Sequence, residues 1–175
     1  PPARILDIAG GSGRIALPLA QRGYAVTVSE RHAPSIRLLE RRGRELDIQI
    51  IPGEFFSTEF EGPFDSVLAV ECLDLMPFDR VVERAAALLK PGGTFAFTLL
   101  NASSWRYAAH KFFGRKQKNE YFLPLSTYRH LWTGAGFELI AMRGYMWMPL
   151  TGLTDSRLVP FFAAVERRLR LHALH

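Results

Sequence analysis

The residues best suited to chemistry lie near the start of the chain, in the run Asp7-Ile8-Ala9-Gly10-Gly11-Ser12-Gly13. Glycines let the backbone turn tightly and approach a ligand without intervening side chains. The residues that follow are predicted to begin a helix, whose unpaired N–H groups and partial positive charge suit a carboxylate or a phosphate. The run therefore predicts a ligand-binding loop.

Two acids bear on which ligand this loop binds. Glu30 ends the second predicted strand, and a carboxylate there can accept hydrogen bonds from the hydroxyls of a ribose. The loop and Glu30 also satisfy the fingerprint of a dinucleotide site. However, such a site normally has an apolar or small residue in place of Asp7, because a negative charge is unfavourable beside a pyrophosphate. An Asp suits an amino-acid-like ligand, since it can attract an ammonium group or orient the loop amides.

The elements that position these residues alternate between strands and helices. Apolar, β-branched runs predict strands, amphipathic segments predict helices, and Pro91-Gly92-Gly93 is interpreted as a breaker. The alternation predicts an α/β fold with a doubly wound, mostly parallel sheet of the Rossmann-like type, and the ligand outside the carboxyl ends of the strands, where the strand order reverses. The predicted strands are 4–9, 25–29, 47–51, 66–70 and 94–100, and the predicted helices are 14–22, 34–42 and 79–89.

The second half of the chain is less regular. Ser126 is predicted to cap a helix that ends at Gly134, since its side-chain oxygen can accept an unpaired N–H. A sixth strand is predicted at 137–142 and an amphipathic helix at 158–171. We expect one domain, residues 1–175, in which residues 101–125 cover the substrate.

Several motifs follow one another along residues 4–100: ILDIAGGSG, VTVSE, IIPGEF, FDSVLAV and LLKPGGTFAFTLLN. Together they resemble the successive motifs of the class I S-adenosylmethionine-dependent methyltransferases. The resemblance implies S-adenosylmethionine as cofactor and S-adenosylhomocysteine as product. It places the loop at the methionine end of the cofactor, Glu30 at the ribose and Arg31 and Glu54 at the adenine. The implied cofactor-binding residues are Asp7, Ala9, Gly10, Gly11, Gly13, Glu30, Arg31, Glu54, Phe55, Val70 and Glu71.

The chain departs from the family pattern in three places. Ala9 stands where the family most often has its first glycine, and Glu54 replaces a more usual Asp. The family's sheet normally ends in an antiparallel strand that is not evident before His175. Either that strand has been lost or residues 145–150 replace it. Because the chain also begins at Pro1 without an initiator methionine, we interpret it as a domain shortened at both ends.

The composition of the chain bears on its partners, its location and whether it binds a metal. The net charge of +5 is modest and its basic residues form separate clusters, which does not favour nucleic acid as a partner. The single cysteine, Cys72, excludes a disulfide within the chain and is consistent with a reducing, cytoplasmic location. The five histidines show no metal-ligand spacing, so no metal is expected. No apolar run is long enough to cross a bilayer.

The sequence therefore predicts methyl transfer to an oxygen, nitrogen or carbon of a small-molecule acceptor. A basic run at 115–118 favours an acidic acceptor, and the oligomeric state is left open. His110 and Tyr107 are the weak candidates for a general base, because they lie in the segment expected to face the substrate. Two alternatives stay open: an NAD(P)-dependent oxidoreductase on the same fold, and a catalytically silent domain that binds the cofactor and serves as a partner subunit.

Overall fold

A computed structural model describes residues 1–100, 121, 123–144 and 159–169. The first compact unit, which contains the described residues up to Phe137, is built on a five-stranded sheet in the order β3-β2-β1-β4-β5. All its neighbouring strands are parallel. The α/β fold and the parallel sheet predicted from the sequence are confirmed. The strands are β1 Arg4–Ile8, β2 Ala25–Glu30, β3 Ile48–Pro52, β4 Phe64–Ala69 and β5 Leu89–Phe97.

Among the described residues of this unit, helices flank the strands at α1 Ala16–Ala20, α2 Ala33–Arg42, α3 Phe78–Leu88 and α4 Leu125–Gly134, with a 3₁₀ turn at Leu73–Leu75. Along each strand, alternate side chains point to opposite faces of the sheet. One face joins β2 to α1 and α2 through Val28, Leu17 and Leu39. The other joins β1 and β4 to α3 and α4. The sheet is therefore buried on both faces, as a parallel sheet requires.

The strand order reverses between β1 and β4. From β1 the chain moves outward through β2 to β3, then returns to place β4 on the other side of β1. Ligands of open α/β sheets bind at such a point, outside the carboxyl ends of the strands. The loop after β1 and the residues after β4 both lie at this point, which we call the switch point.

The last strand of the sheet begins earlier than predicted. Pro91-Gly92-Gly93 does not break the chain; it lies within β5. The pairing shifts there, because Phe64 pairs with Leu89 whereas Ser66 pairs with Thr94. The additional residues of β5 bulge out of the ladder, and Gly92 adopts the left-handed φ of 76° that such an excursion needs.

Three further local predictions are corrected. Helix α1 is shorter than predicted, because residues 11–15 form turns in which the N–H of Gly13 donates to the carbonyl of Gly10. Helix α4 begins one residue before Ser126, with Pro124 at the cap position and no side-chain cap. Residues 137–142 form no strand, and Ile140 is 85% exposed there. An apolar run becomes a strand only where a neighbouring strand accepts its hydrogen bonds.

The second compact unit is described only at residues 138–144 and 159–169. Its helix, α5 Val159–Arg168, lies within the predicted 158–171. Among the described residues no helix is long and apolar enough to cross a membrane. Residues 145–150, considered above as a replacement for the terminal strand, lie outside the described part of the chain, as do His110 and Tyr107. The extent of the domain and the role of residues 101–125 stay predictions.

Candidate functional site

In the loop at the end of β1, two of the glycines, Gly10 and Gly13, leave no space for a side chain. A Cβ on Gly13, whose φ is 86°, would lie 2.4 Å from Leu39 Cδ1. A Cβ on Gly10 would lie 2.7 Å from Val28 Cγ1 and 2.8 Å from Asp7 Oδ2. The loop therefore packs directly on α2, β2 and the buried acid of β1.

Glu30 fixes this loop from the neighbouring strand. Its Oε2 accepts the backbone N–H of Gly11 at 2.8 Å, and its Oε1 accepts the N–H groups of Arg31 at 2.8 Å and His32 at 2.7 Å. The side chain is almost fully buried. Three backbone N–H groups therefore satisfy this buried carboxylate and tie it to the loop and to the residues after β2.

Asp7 is the other buried acid of the site and is 2% exposed. Its Oδ2 has no hydrogen-bond partner within the described part of the chain. Burial raises the pKa of Asp7 to about 7; the negative charge of Glu30 adds to this and the positive charge of Arg14 opposes it. An unpartnered buried oxygen beside the loop is suited to a ligand that brings a hydrogen-bond donor.

At the switch point Glu71 faces the loop from the end of β4. It adopts a left-handed φ of 56°, and the other non-glycine residue of the described chain with a positive φ is Ala9, at 51°, after β1. The N–H of Glu71 donates to Thr98 Oγ1 at 2.7 Å, and its carboxylate pairs with Arg14 at 2.8 Å. Backbone strain at two adjacent strand ends is typical of a functional site.

A second exposed ion pair lies at the ends of β2 and β3. Arg31 Nη1 is 2.6 Å from Glu54 Oε1, and this carboxylate raises the pKa of Arg31. The side chain of Phe55 is buried in the core, where Arg84 lies over its ring, so only its backbone is offered to a ligand. Val70 is half-buried directly after β4.

The structure thus brings the predicted site residues to one edge of the sheet, after β1, β2, β3 and β4. Sequence reasoning missed Arg14, whose side chain reaches across to Glu71 at this edge. Cys72 is buried, and burial raises the pKa of its thiol to about 12, with Asp7 contributing. It is a packed residue rather than a nucleophile. Among the described residues, no three His, Cys, Asp or Glu side chains are placed to hold a metal.

The comparisons with known proteins decide the family. A family model described as "Methyltransferase domain" matches residues 5–93, slightly more than half of the chain. The chain belongs to this methyltransferase family. The predicted class I S-adenosylmethionine-dependent methyltransferase is thereby confirmed, and S-adenosylmethionine is its cofactor. The alternative of an NAD(P)-dependent oxidoreductase is not supported.

Individual relatives agree with the family. This methyltransferase is 30% identical to a ubiquinone biosynthesis O-methyltransferase of Bordetella avium, over 94% of its own length and 75% of the relative. It is 29% identical to a protein of the same name from Idiomarina loihiensis, over 87% and 69% of the two chains. Its fold resembles magnesium protoporphyrin IX methyltransferase from Synechocystis, a structure with bound S-adenosylhomocysteine, with a TM-score of 0.70 and 17% identity over 84% and 70% of the two chains.

The residues at the switch point fit the cofactor. Its amino-acid end carries an ammonium and a carboxylate, and the unpartnered oxygen of Asp7 and the exposed guanidinium of Arg14 lie beside the loop. Glu30 fixes the loop itself through the backbone N–H of Gly11. The buried acid, the cation and the glycine backbone supply complementary groups for such an end.

Proposed function

We propose that this methyltransferase acts on a hydroxyl oxygen of a small aromatic acceptor of the type used in ubiquinone biosynthesis. The observation that carries the proposal is the similarity to O-methyltransferases of that name over nearly the whole chain. The loop and the buried acids support it by giving the cofactor a site at the switch point. Amine and carbon acceptors are the alternatives that an experiment must separate.

We propose the following roles for the site residues. Asp7 faces the ammonium of the cofactor, and the loop residues Ala9, Gly10, Gly11 and Gly13 line its methionine end. Glu30 receives the ribose through the lone pair of Oε2 that Gly11 leaves free. The ion pair of Arg31 and Glu54 lies beside the adenine, next to the backbone of Phe55. Val70 and Glu71 complete the floor.

The reaction depends more on the positioning of the acceptor beside the cofactor than on general acid–base catalysis. The cofactor supplies a methyl group already activated on a sulfonium. The acceptor oxygen forms a bond to the methyl carbon as the carbon–sulfur bond breaks, the electron pair stays on sulfur, and the hydroxyl proton passes to a base. The chain contributes by fixing the loop through Glu30 and by excluding water. His110 and Tyr107 stay the candidates for the base, and residues 101–125 the candidate cover.

We infer that the protein works in the cytoplasm, which is supported by its single, buried cysteine. A small-molecule acceptor is the expected partner. The basic run at 115–118 favours an acceptor that also carries a negative charge, such as a carboxylated phenol.

Two measurements test this function in order. Calorimetric titration with S-adenosylhomocysteine and with NADH should show binding of the first alone. The protein is then incubated with methyl-labelled S-adenosylmethionine and matched aromatic acceptors that carry a hydroxyl, an amine or neither. We expect label in the hydroxyl compounds only. Transfer to the amine alone overturns the choice of oxygen, and binding without transfer to any acceptor supports the silent partner domain.

A further inference from the structure

An exposed ion pair spans the switch point. Arg14 follows the loop after β1, and Glu71 follows β4; Arg14 Nη2 and Glu71 Oε2 are 2.8 Å apart. The two side chains are 64% and 53% exposed. An ion pair in contact with this much water contributes at most about 1 kcal/mol. It is therefore easily exchanged for another partner.

The acid of this pair is held in place by the backbone. Glu71 is fixed in its left-handed conformation while its N–H donates to Thr98 Oγ1, and the N–H of Thr98 in turn donates to the carbonyl of Ala69 at the end of β4. The ends of β4 and β5 are thus tied together. These bonds position the backbone of Glu71, and its exposed carboxylate reaches Arg14 from there.

The arginine of the pair lies within electrostatic reach of the interior of the loop. Its positive charge lowers the pKa of Asp7, against the effects of burial and of Glu30. Arg14 therefore belongs to the same electrostatic cluster as the buried acid proposed to face the ammonium. The amino-acid end of the cofactor carries a carboxylate as well, and no cation is assigned to it among the residues that the sequence singled out.

We propose that Arg14 binds the carboxylate of the cofactor's amino-acid end, and that Glu71 is the partner that this carboxylate displaces. Glu71 acts as an internal competitor: one carboxylate replaces another on the same guanidinium, so no charge is left unpaired on Arg14. The inference rests on the proposed function only for the identity of the ligand.

A second arginine near the loop provides a matched control. Arg42 reaches the carbonyl of Ser12 from α2, the helix that follows β2. It carries the same charge and is also exposed, but it forms no ion pair with an acid in the part of the chain that the structure describes. A general electrostatic effect on the loop would affect Arg14 and Arg42 alike.

The test is binding, measured by calorimetry with three ligands: S-adenosylhomocysteine, its decarboxylated analogue, and 5′-methylthioadenosine, which lacks the amino-acid end. In Arg14→Met we expect the Kd of S-adenosylhomocysteine to rise about tenfold or more, as for a lost charge-assisted hydrogen bond. The Kd values of the other two ligands should change by less than about twofold, within the scatter of a surface substitution. Arg42→Met should leave all three affinities unchanged.

Removal of the negative charge of Glu71 should strengthen binding of S-adenosylhomocysteine. Glu71→Gln keeps the size and backbone of the residue but frees Arg14, so S-adenosylhomocysteine should bind about two- to fivefold more tightly, the strength of an exposed ion pair. The decarboxylated analogue should show no gain.

Three outcomes overturn the inference. The first two are an equal fall in the affinities of Arg14→Met for all three ligands, and no fall in any of them. The third is a fall in the affinity of Arg42→Met for S-adenosylhomocysteine that is as large as the fall in Arg14→Met. If the unsubstituted protein binds none of the three ligands, the proposed function itself fails, and this result is distinct from the others. A fold check by circular dichroism accompanies each variant, and the comparison among ligands separates loss of a contact from loss of structure.

Discussion

The carboxylate of Glu30, at the end of β2, holds the backbone N–H of Gly11 in the loop after β1, with 2.8 Å between oxygen and nitrogen. The acid that the sequence assigns to a ribose is therefore also a structural support of the loop. The two roles are compatible, because a carboxylate has about four lone-pair positions and only three are used by the N–H groups of Gly11, Arg31 and His32.

Replacement of this acid should affect stability and binding together. In Glu30→Gln an amide N–H₂ must face one of the backbone donors, so the free energy of unfolding should fall by about 1–3 kcal/mol. The Kd of S-adenosylhomocysteine should rise in parallel. Chemical unfolding and calorimetry measure the two effects. The exposed Glu40→Gln on α2 is the control, and an unchanged midpoint for Glu30→Gln would contradict the supporting role.

The buried Asp7 should make stability depend on pH. Its pKa is about 7 in the folded protein and 3.8 is its ordinary value, so the folded state holds an extra proton between these values. The free energy of unfolding should therefore fall as pH rises from about 4 to about 7, with a slope of up to about 1.4 kcal/mol per pH unit, and level off above. Asp7→Asn should lose this component. Urea unfolding of both proteins from pH 5 to pH 9 measures their free energies of unfolding. The free energy of the unsubstituted protein should fall relative to that of Asp7→Asn up to about pH 7. If the two free energies keep a constant difference across this range, the pKa of Asp7 is not raised.

The left-handed Ala9 should be improved by glycine. At a φ of 51°, alanine destabilises the folded state by about 1–2 kcal/mol relative to glycine. Glycine also has more conformational freedom in the unfolded chain, which offsets part of this stabilisation. We expect Ala9→Gly to raise the free energy of unfolding by up to about 1 kcal/mol. The exposed Ala87→Gly on α3 should lower it by about the same amount. Thermal unfolding of the two variants should thus shift in opposite directions.

Alanine substitutions at Gly13 and Gly23 distinguish the cost of side-chain crowding from the cost of backbone strain. Both have a φ of 86°, but a Cβ on Gly13 would meet Leu39 and Leu17, whereas one on Gly23 meets nothing within 4 Å. Gly23→Ala should cost about 1–2 kcal/mol for the backbone alone. Gly13→Ala should cost a further 1–3 kcal/mol or so, because the core must move. Urea midpoints measure both, and equal losses would show that the loop is less tightly packed on α2 than described.

Much of the sheet was predictable because its strands are short, apolar and bounded by glycine or proline. The failures have physical causes. Residues 137–142 have a strand composition but pair with no other strand among the described residues. Pro91-Gly92-Gly93 has the composition of a strand boundary, and the sequence does not reveal that it lies in a bulge. The loop, Asp7 and Glu30 could be picked out from the sequence. The pairing of Arg14 with Glu71 could not, since it depends on which strand lies beside β1.

The position of β1 also has a consequence for the order in which the protein is made. This first strand lies in the middle of the sheet, and the N–H of Arg4 donates to Asp65, 61 residues later, at the start of β4. A nascent chain that has emerged only as far as β3 has β1 with one side uncovered, so the cofactor loop acquires its far wall late in synthesis. Long-range pairing of this kind slows folding and exposes a strand edge in the meantime. The earliest residues of the site to be translated are thus among the last to be enclosed.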